Sequence, residues 1–507
     1  MPNLTLSMIV KNEEKYLEEC LESVKDIVDE IVVVDTGSSD RTIEIAKEYG
    51  AKIFHFNWVN DFSAARNFAL RNSSGDWILY LDADERLESD SINELKKIIR
   101  SKNKYAYFCT VKSLDRIEGR DNSMRYIRLF PNDSRVEFRG KVHEQITYSL
   151  TENNYKIFQS SVSIIHVGYN VTKEEKKKKA ERNLILLLQE YSKSKTAYFA
   201  YQLANTYNVL ENYDSAKEYF LISADSNSLA KNLRADCFCS LALIHHKSHE
   251  LILAEKYLSE SINLNENQPF AFLLGAKIYL LGNKLSKAEE YCREAFELSK
   301  KSSQLSLQNE VFSKVNLEEI IYFGISVALL NKNIQSIQYY LGQLIETFKR
   351  DYPNDFSLRI SVMQKLFDGK EMGISEKDCF EEMISEHNLN LFTSLIINNA
   401  DKDYKYNLFM KLHKKFVDNS DIIKMLATSL DEVGKLDQAI DLLEKNKNED
   451  DPGIMLYLLS FYVKAGDEKK IKETFSILSN SKNMLPEIKG KLELIKSKLP
   501  AELFRTA

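Results

Sequence analysis

The 507-residue chain reads as two architectures in series, an α/β domain built on a parallel sheet and then an all-α solenoid. Three observations predict this. Over the first 170 residues short apolar runs alternate with helical patterns; strand signals stop after Tyr169; small residues then recur at near-constant spacing. Glycine (16) and proline (7) are scarce for this length, which favours long uninterrupted helices over a loop-rich all-β chain. A chain this long is expected to divide into about three domain-sized units.

Leu4–Val10 (LTLSMIV) reads as the first strand and Glu13–Lys25 as an amphipathic helix. Glu30–Asp35 (EIVVVD) is a second strand, followed by a helix opening at Ser39. Lys52–Phe56 (KIFHF) is a third, a helix follows over Asp61–Asn72, and Asp76–Asp84 (DWILYLDAD) is a fourth. Near-continuous apolar strands separated by helices indicate a parallel sheet covered on both faces. From about Tyr105 strands succeed one another with little helix between them (AYFCTVKSL, RYIRLF, SVSIIHV), so a mixed or antiparallel half is expected.

The charged run KEEKKKK (173–179) is expected to begin a solvated linker helix. Beyond it, a small residue in one helix, a Tyr three later and an Ala twelve later fit the tetratricopeptide scheme, in which two helices pack closely. Leu203, Ala204, Tyr207, Ala216 and Phe220 follow it. So do Leu241, Ala242, Ala254 and Leu258, then Ala276, Tyr279, Ala288 and Ala295. The offsets are 242 − 204 = 38 and 276 − 242 = 34. Ala427, Ala439 and Ser460 suggest a later pair, Gly324 and Ser336 a degenerate one, and residues 350–410 are helical without a clear register. The expected boundaries are 1–172 for the α/β domain, 173–196 for the linker, 197–345 for the repeats and 346–507 for further, degenerate helical repeats.

Composition excludes several function classes. With 44% hydrophobic and 28% charged residues and a formal net charge of −6, nothing draws the whole chain to nucleic acid or to an anionic membrane. MPNLTLSMIVKNEE lacks a basic leader, and no apolar run reaches the roughly 18 residues a membrane helix needs. A cytoplasmic location is therefore expected. Cys20, Cys109, Cys237, Cys239, Cys292 and Cys379 are sparse and sit in apolar patterns, as buried thiols do in a reducing compartment.

Ligands of open parallel sheets bind beyond the carboxyl ends of the strands. Here the first strand ends in Lys11-Asn12-Glu13-Glu14, the second in Asp35-Thr36-Gly37-Ser38-Ser39-Asp40 and the fourth in Asp82-Ala83-Asp84-Glu85. Carboxylates gathered at one edge are unfavourable unless cations or donors meet them. Helix capping is enough to explain Ser39 or Ser89, but not DADE directly after an apolar strand. Two carboxylates one residue apart suit a hard divalent cation, Mg2+ or Mn2+, which keeps its other positions for water and phosphate oxygens. Such an ion neutralises a diphosphate leaving group. No GxxxxGK[ST] loop is present, and GSSD is no dinucleotide fingerprint, so kinase-like and dehydrogenase readings lose ground.

SMIVKNEEKYLEECLESV, VVVDTGSSDRT, the AARN of DFSAARNFAL, ILYLDADE, RLFP (128–131), GKVHEQI (140–146), IIHVGY (164–169) and ERN (181–183) resemble glycosyltransferase family 2, in the expected order over most of residues 4–183. That resemblance implies the GT-A fold and a metal-dependent, inverting transfer of a sugar, GlcNAc or another hexose, from a UDP-sugar. The repeat-fused arrangement resembles bacterial protein and peptide glycosyltransferases, which implies a protein acceptor held by the repeats. Flagellin Ser/Thr is favoured, with a bacteriocin peptide (through oxygen or sulfur) or an envelope glycan as alternatives. A non-catalytic repeat scaffold is a further one, and exposed repeat surfaces leave room for a homodimer.

The resemblance also implies roles for particular residues. Val10, Asn12 and Glu13 would line the uridine pocket, with Glu13 near the ribose, and Asp35 would meet the uracil edge. Arg66 and Asn67 would close over base or phosphate, and Asp82 with Ala83 would contact the sugar or ribose. Asp84 and His166 would hold the metal. Glu144 is the expected general base for the acceptor, with His143 as the alternative that Glu144 would then orient.

Overall fold

The computed structural model describes residues 2–101, 103–115, 120–167, 172–301, 311–397, 401–417, 419–447, 451–480 and 486–499. Residues 1–246 with 250–320 form one compact unit, and residues 321–507 with 247–249 form another.

In the first unit the strands are β1 (Leu4–Val10), β2 (Glu30–Asp35), β3 (Lys52–His55), β4 (Trp77–Tyr80), β5 (Glu85–Leu87), β6 (Ala106–Asp115), β7 (Arg120–Pro131), β8 (Ile157–His166) and β9 (Val311–Lys314). They form one sheet in the order β3-β2-β1-β4-β7-β6-β8-β5, with β9 added to β7. The β3, β2, β1 and β4 neighbours are parallel, whereas β7 runs antiparallel to β4 and to β6. The parallel half followed by a mixed half is the expected arrangement. Because β2, β1 and β4 are adjacent, their carboxyl ends share one edge.

Burial explains the sequence pattern. Every residue of β4 is buried, Trp77 and Leu79 in one apolar cluster and Ile78 and Tyr80 in another. Both faces of the strand are covered, so it reads as a continuous apolar run. Helix α1 (Leu17–Val24) presents Leu17, Cys20, Leu21 and Val24 to the first cluster, the stripe of a half-buried helix. Next come α2 (Thr42–Glu48), α3 (Phe62–Arg71), α4 (Ile92–Ile99) and α5 (Thr147–Glu152). Asp61 caps α3, accepting from the Ala64 amide.

Three expectations shift at this level. The fourth strand ends at Tyr80, and Asp82–Asp84 lie in a turn that β5 follows. Ser39 is no cap: its amide donates to Asn12 Oδ1, while Asp40 accepts from the amides of Thr42 and Glu14. Finally, β9 falls inside the stretch read as repeats. Four residues of a helical region carry no strand signal of their own, and pairing with β7 overrides local preference.

Helix α6 (Lys173–Lys193) opens with a Thr172/Glu175 capping box. Its charged first turns face solvent, with Lys173 and Lys177 paired to Glu211, but Leu186 and Leu187 pack in a cluster with Val142 and Leu203. Helix pairs follow: α7 (Ala197–Val209) with α8 (Tyr213–Ala224), α9 (Lys231–Lys247) with α10 (Leu251–Leu264), and α11 (Pro269–Leu281) with α12 (Leu285–Lys300). Ala204, Ala216, Phe220, Ala242, Ala254, Leu258, Ala276, Ala288 and Ala295 are all fully buried. The second helices keep the same register: Ala216, Ala254 and Ala288, each in the first turn of its helix, are all fully buried. Ser223 and Ser261, also in matching places, donate to the carbonyls of Ala197 and Ala235. The left-handed turn residues between the paired helices, Glu211, His249 and Asn283, repeat the steps of the alanines (249 − 211 = 38 and 283 − 249 = 34), so Ala276 holds the same place in its pair as Ala204 and Ala242.

The second unit is helical from Ile321 onward among the described residues. Gly324 is required there, because a Cβ at this position would meet the Tyr340 ring at 2.5 Å. Ala427 and Ala439 are fully buried, but Ser460 is exposed and bonds its own helix at Leu456, while Leu459 takes the core position. The offset from Ala427 is one residue out of phase. All six cysteines are buried, and none forms a disulfide among the described residues. No described helix is long and apolar enough to cross a membrane.

Candidate active site

The shared edge of β2, β1 and β4 is built from loops that bind one another. Val10 is buried, and its carbonyl accepts from both the amide and the hydroxyl of Thr36. Asn12 adopts a left-handed backbone (φ 56°), which Asn tolerates better than most residues. Its amide donates to Ser38 Oγ, and its side-chain oxygen accepts from Ser39. Asp35 accepts from the Gly37 and Ser38 amides and lies 3.3 Å from His55 Nδ1. Burial alone would raise the Asp35 carboxyl, but bonds from Ser38, His55 and Gly37 hold it below the usual range.

Glu13 behaves differently. Burial first, then the charges of Asp84, Asp82 and Asp40, push its carboxyl up to about 7, against a smaller opposing effect of Lys179. A strongly perturbed acid beside other acids marks a place where cationic or donor groups are expected to arrive.

Past β4 the charges are locked together. Arg66 on α3 donates through Nη2 to Asp82 Oδ1 at 2.7 Å and through Nε to Glu144 Oε1. Arg128 on β7 donates to Glu85 Oε1 at 2.6 Å and lies 3.6 Å from Asp82 Oδ2. Both guanidinium groups are buried against the Tyr80 ring, Arg66 at 4.9 Å and Arg128 at 4.2 Å from its centre. The result is a chain of alternating charge, Glu144–Arg66–Asp82–Arg128–Glu85. Burial would raise Asp82, yet the two arginines hold it well below the carboxylate range. Burial pushes Glu85 up despite Arg128.

Asp84 and His166 meet at the end of β8. His166 Nε2 lies 3.0 Å from Asp84 Oδ2, and Ser113 Oγ lies 3.3 Å from Nδ1. Burial would lower His166, but its bond to Asp84 raises it. Two ligands at right angles on an ion with bonds of about 2.1 Å stand about 3 Å apart, so this pair fits a Mg2+- or Mn2+-sized ion. Among the described residues no group of three or more His, Cys, Asp or Glu side chains is arranged to hold a metal by itself. A hard cation that takes its remaining ligands from phosphate and water needs no such group. Gly168 and Tyr169, which follow His166 in the motif, lie outside the described residues.

The remaining candidates are placed as follows. Ala83 is buried, and its carbonyl accepts from Arg86. Asn67 does not face the carboxylate edge: its amide group clasps the backbone of Phe138, donating to its carbonyl at 2.8 Å and accepting from its N–H at 2.7 Å. Arg66 is fastened inside the charge chain. His143 has a left-handed backbone (φ 52°), and burial lowers its pKa. Glu144 is the member of the HE pair that reaches the charge chain.

Sequence reading missed Tyr80, Glu85 and Arg128. RLFP lay in a matched motif without a role, because only the β4–β7 pairing, Leu79 opposite Leu129, brings Arg128 beside Tyr80.

Residues 5–157 match glycosyl transferase family 2. The chain is 41% identical over 188 residues to a TPR repeat-containing protein of Synechococcus elongatus, covering 36% of this chain and 46% of that one. It is 34% identical over 191 residues to the SPbeta prophage-derived glycosyltransferase SunS of Bacillus subtilis, covering 36% of this chain and 44% of that one. These matches thus span less than half of each relative's length. A crystal structure of S. aureus TarS 1–349 in complex with UDP-GlcNAc is similar at 14% identity and a TM-score of 0.28, over 60% of this chain and 92% of that one. The chain therefore carries a glycosyl transferase family 2 domain of the GT-A kind at its N-terminal end, followed by a long all-helical, tetratricopeptide-like region.

Proposed function

We propose that the protein is an inverting glycosyltransferase that moves a hexose, GlcNAc first among those to test, from a UDP-sugar to a hydroxyl of a protein side chain. One observation carries this reading: Arg66 joins Asp82, on the donor side of the sheet edge, to Glu144, a carboxylate from the segment beyond it. Donor and acceptor chemistry are thereby tied to one rigid guanidinium.

In this scheme Asn12, Glu13 and Asp35 hold the nucleoside, and Asp82 takes the ribose or sugar hydroxyls while Arg66 and Arg128 keep it ionised. Asp84 and His166 hold Mn2+ or Mg2+, which neutralises the departing diphosphate when bound. Arg66 engages Oε1 of Glu144, and Oε2 receives the acceptor proton. The acceptor oxygen bonds to the anomeric carbon from the face opposite the leaving group. The carbon–oxygen bond to the diphosphate breaks, and its electron pair leaves with UDP. The anomeric centre inverts.

The helix pairs present the acceptor, for which an extended stacked surface is suited. Flagellin Ser/Thr is the first acceptor to test. Six buried thiols suit a reducing compartment, and we place the reaction in the cytoplasm.

The test is UDP release from a panel of UDP-sugars with Mn2+, wild type against Asp84→Ala, with intact mass spectrometry of added flagellin. Wild type should turn over at least one donor, and the variant should lose about 100-fold or more. Equal silence of both proteins across the panel would sink the reading.

A further inference from the structure

We propose that the first repeat helix belongs to the catalytic apparatus: Tyr198 of α7 is a positioning residue that holds the segment bearing Glu144 against Arg66. This rests on the assignment of Glu144 above.

Residues 139–145 form a small closed loop. Its two ends exchange backbone bonds, Arg139 N–H to the Gln145 carbonyl and Gln145 N–H to the Arg139 carbonyl, both 2.9 Å. Between them Gly140 and His143 take left-handed conformations, so no helix or strand ladder stiffens the turn. Support comes from outside it. On the α3 side, Phe62 N–H donates to the Lys141 carbonyl at 2.8 Å, and Asn67 clasps Phe138. On the other side everything comes from α6 and α7. Val142 is buried with Leu186, Leu187 and Leu203, and Gln145 Nε2 donates to the Tyr198 hydroxyl at 2.8 Å. Gln145 is the immediate neighbour of Glu144, so that bond fixes the backbone from which the carboxylate projects.

The repeat itself does not call for this tyrosine. In the next pair its place is taken by Asp236 (198 + 38), and in the one after by Phe270 (236 + 34), neither of which carries a hydroxyl. Tyr201, one turn along the same helix, bonds Asp236 instead. Burial raises the Tyr198 phenol further from ionisation and the nearby Glu144 charge adds to this, against hydrogen bonds with Gln202 and Gln145, so the hydroxyl stays neutral beside Glu144. A reacting carboxylate displaced by a fraction of an ångström loses rate without losing its fold.

The experiment uses the full chain as wild type, Tyr198→Phe, Tyr201→Phe, Glu144→Gln and the Tyr198→Phe/Glu144→Gln double variant. Amide hydrogen exchange is followed over residues 139–146. Tyr198→Phe should accelerate exchange there about tenfold and leave the strands Glu30–Asp35 and Trp77–Tyr80 unchanged, whereas Tyr201→Phe should leave 139–146 at wild-type rates. Wild-type exchange over 139–146 in Tyr198→Phe, or equal acceleration throughout the sheet, overturns the proposal.

UDP release from UDP-GlcNAc with Mn2+ supplies the second readout. Tyr198→Phe should lower kcat about tenfold with KM unchanged, and should add nothing in the Glu144→Gln background. Independent, multiplying losses in the double variant overturn the claim that Tyr198 acts through Glu144. Wild-type turnover by Glu144→Gln would instead remove the base assignment, while the exchange result would still decide whether α7 holds the loop.

Discussion

The first compact unit buries two unlike things. Around β4 it buries charge: Arg66 and Arg128 lie against the Tyr80 ring and Glu85 is buried with them, while the carboxylates of Asp82 and Glu144 pair with the arginines from partly exposed positions. Between α7 and α12 it buries alanine, at positions where two helices must approach closely. Burying charge is unfavourable unless every charge finds a partner, and removing one partner strands another. Burying alanine asks only for a small side chain at the right turn of the helix. A damaged charge chain should therefore lose activity and stability together, whereas a damaged helix pair beyond α7 should lose stability alone.

Four measurements break or sharpen this contrast. The largest effect is expected from Glu144→Gln, which keeps size and a bond to Arg66 but cannot take a proton. Turnover should fall by about 100- to 10,000-fold, with UDP affinity within a factor of about two by titration calorimetry. Weakened UDP binding of similar size would make Glu144 a donor-site residue.

Arg66→Leu comes next. It leaves Glu144 without its cation and Asp82 with Arg128 alone, and should destabilise the first unit by about 3 kcal/mol in urea unfolding, with activity lost as well. A stable, inactive variant would mean that water reaches both carboxylates and that the chain of charge is functional only.

In the repeats, Ala254→Leu places three more carbons at a fully buried helix contact. It should destabilise by about 2 kcal/mol and leave donor hydrolysis unchanged. A change in turnover would mean that coupling to the charge chain extends beyond α7 to α10.

The smallest effect concerns pH. Glu13 is raised to about 7 from an ordinary 4.5, so between those values the folded chain keeps a proton that the unfolded chain has already released. Stability therefore falls as pH rises through that window and is level above it. Glu13→Gln should flatten this slope in melts taken from pH 4.5 to 8; parallel curves would show that Glu13 is solvated as an ordinary carboxylate.

Much of this was legible in advance because it is local. A buried parallel strand needs an unbroken apolar run, and EIVVVD and the WILY of β4 supply it. An amphipathic helix needs a stripe, and LEECLESV supplies that. The repeats announced themselves through alanines. In the later pair one residue separates the expected core position from the observed one: Ser460 is exposed beside the buried Leu459. Neighbouring small and apolar residues on a helix look alike until packing selects one.

The sequence by itself determined the two architectures, the gathering of acids at strand ends, and the pairing of a DADE turn with later HE and HV motifs. Only the tertiary structure decided which charges meet. It bonded Arg66 to both Asp82 and Glu144, gave Asn67 to the backbone of Phe138, and brought in Arg128, Glu85 and Tyr198. The reason is physical: periodicity and propensity act over a few residues, whereas an ion pair between positions 66 and 144 exists only once strand order and register have brought distant segments within 3 Å.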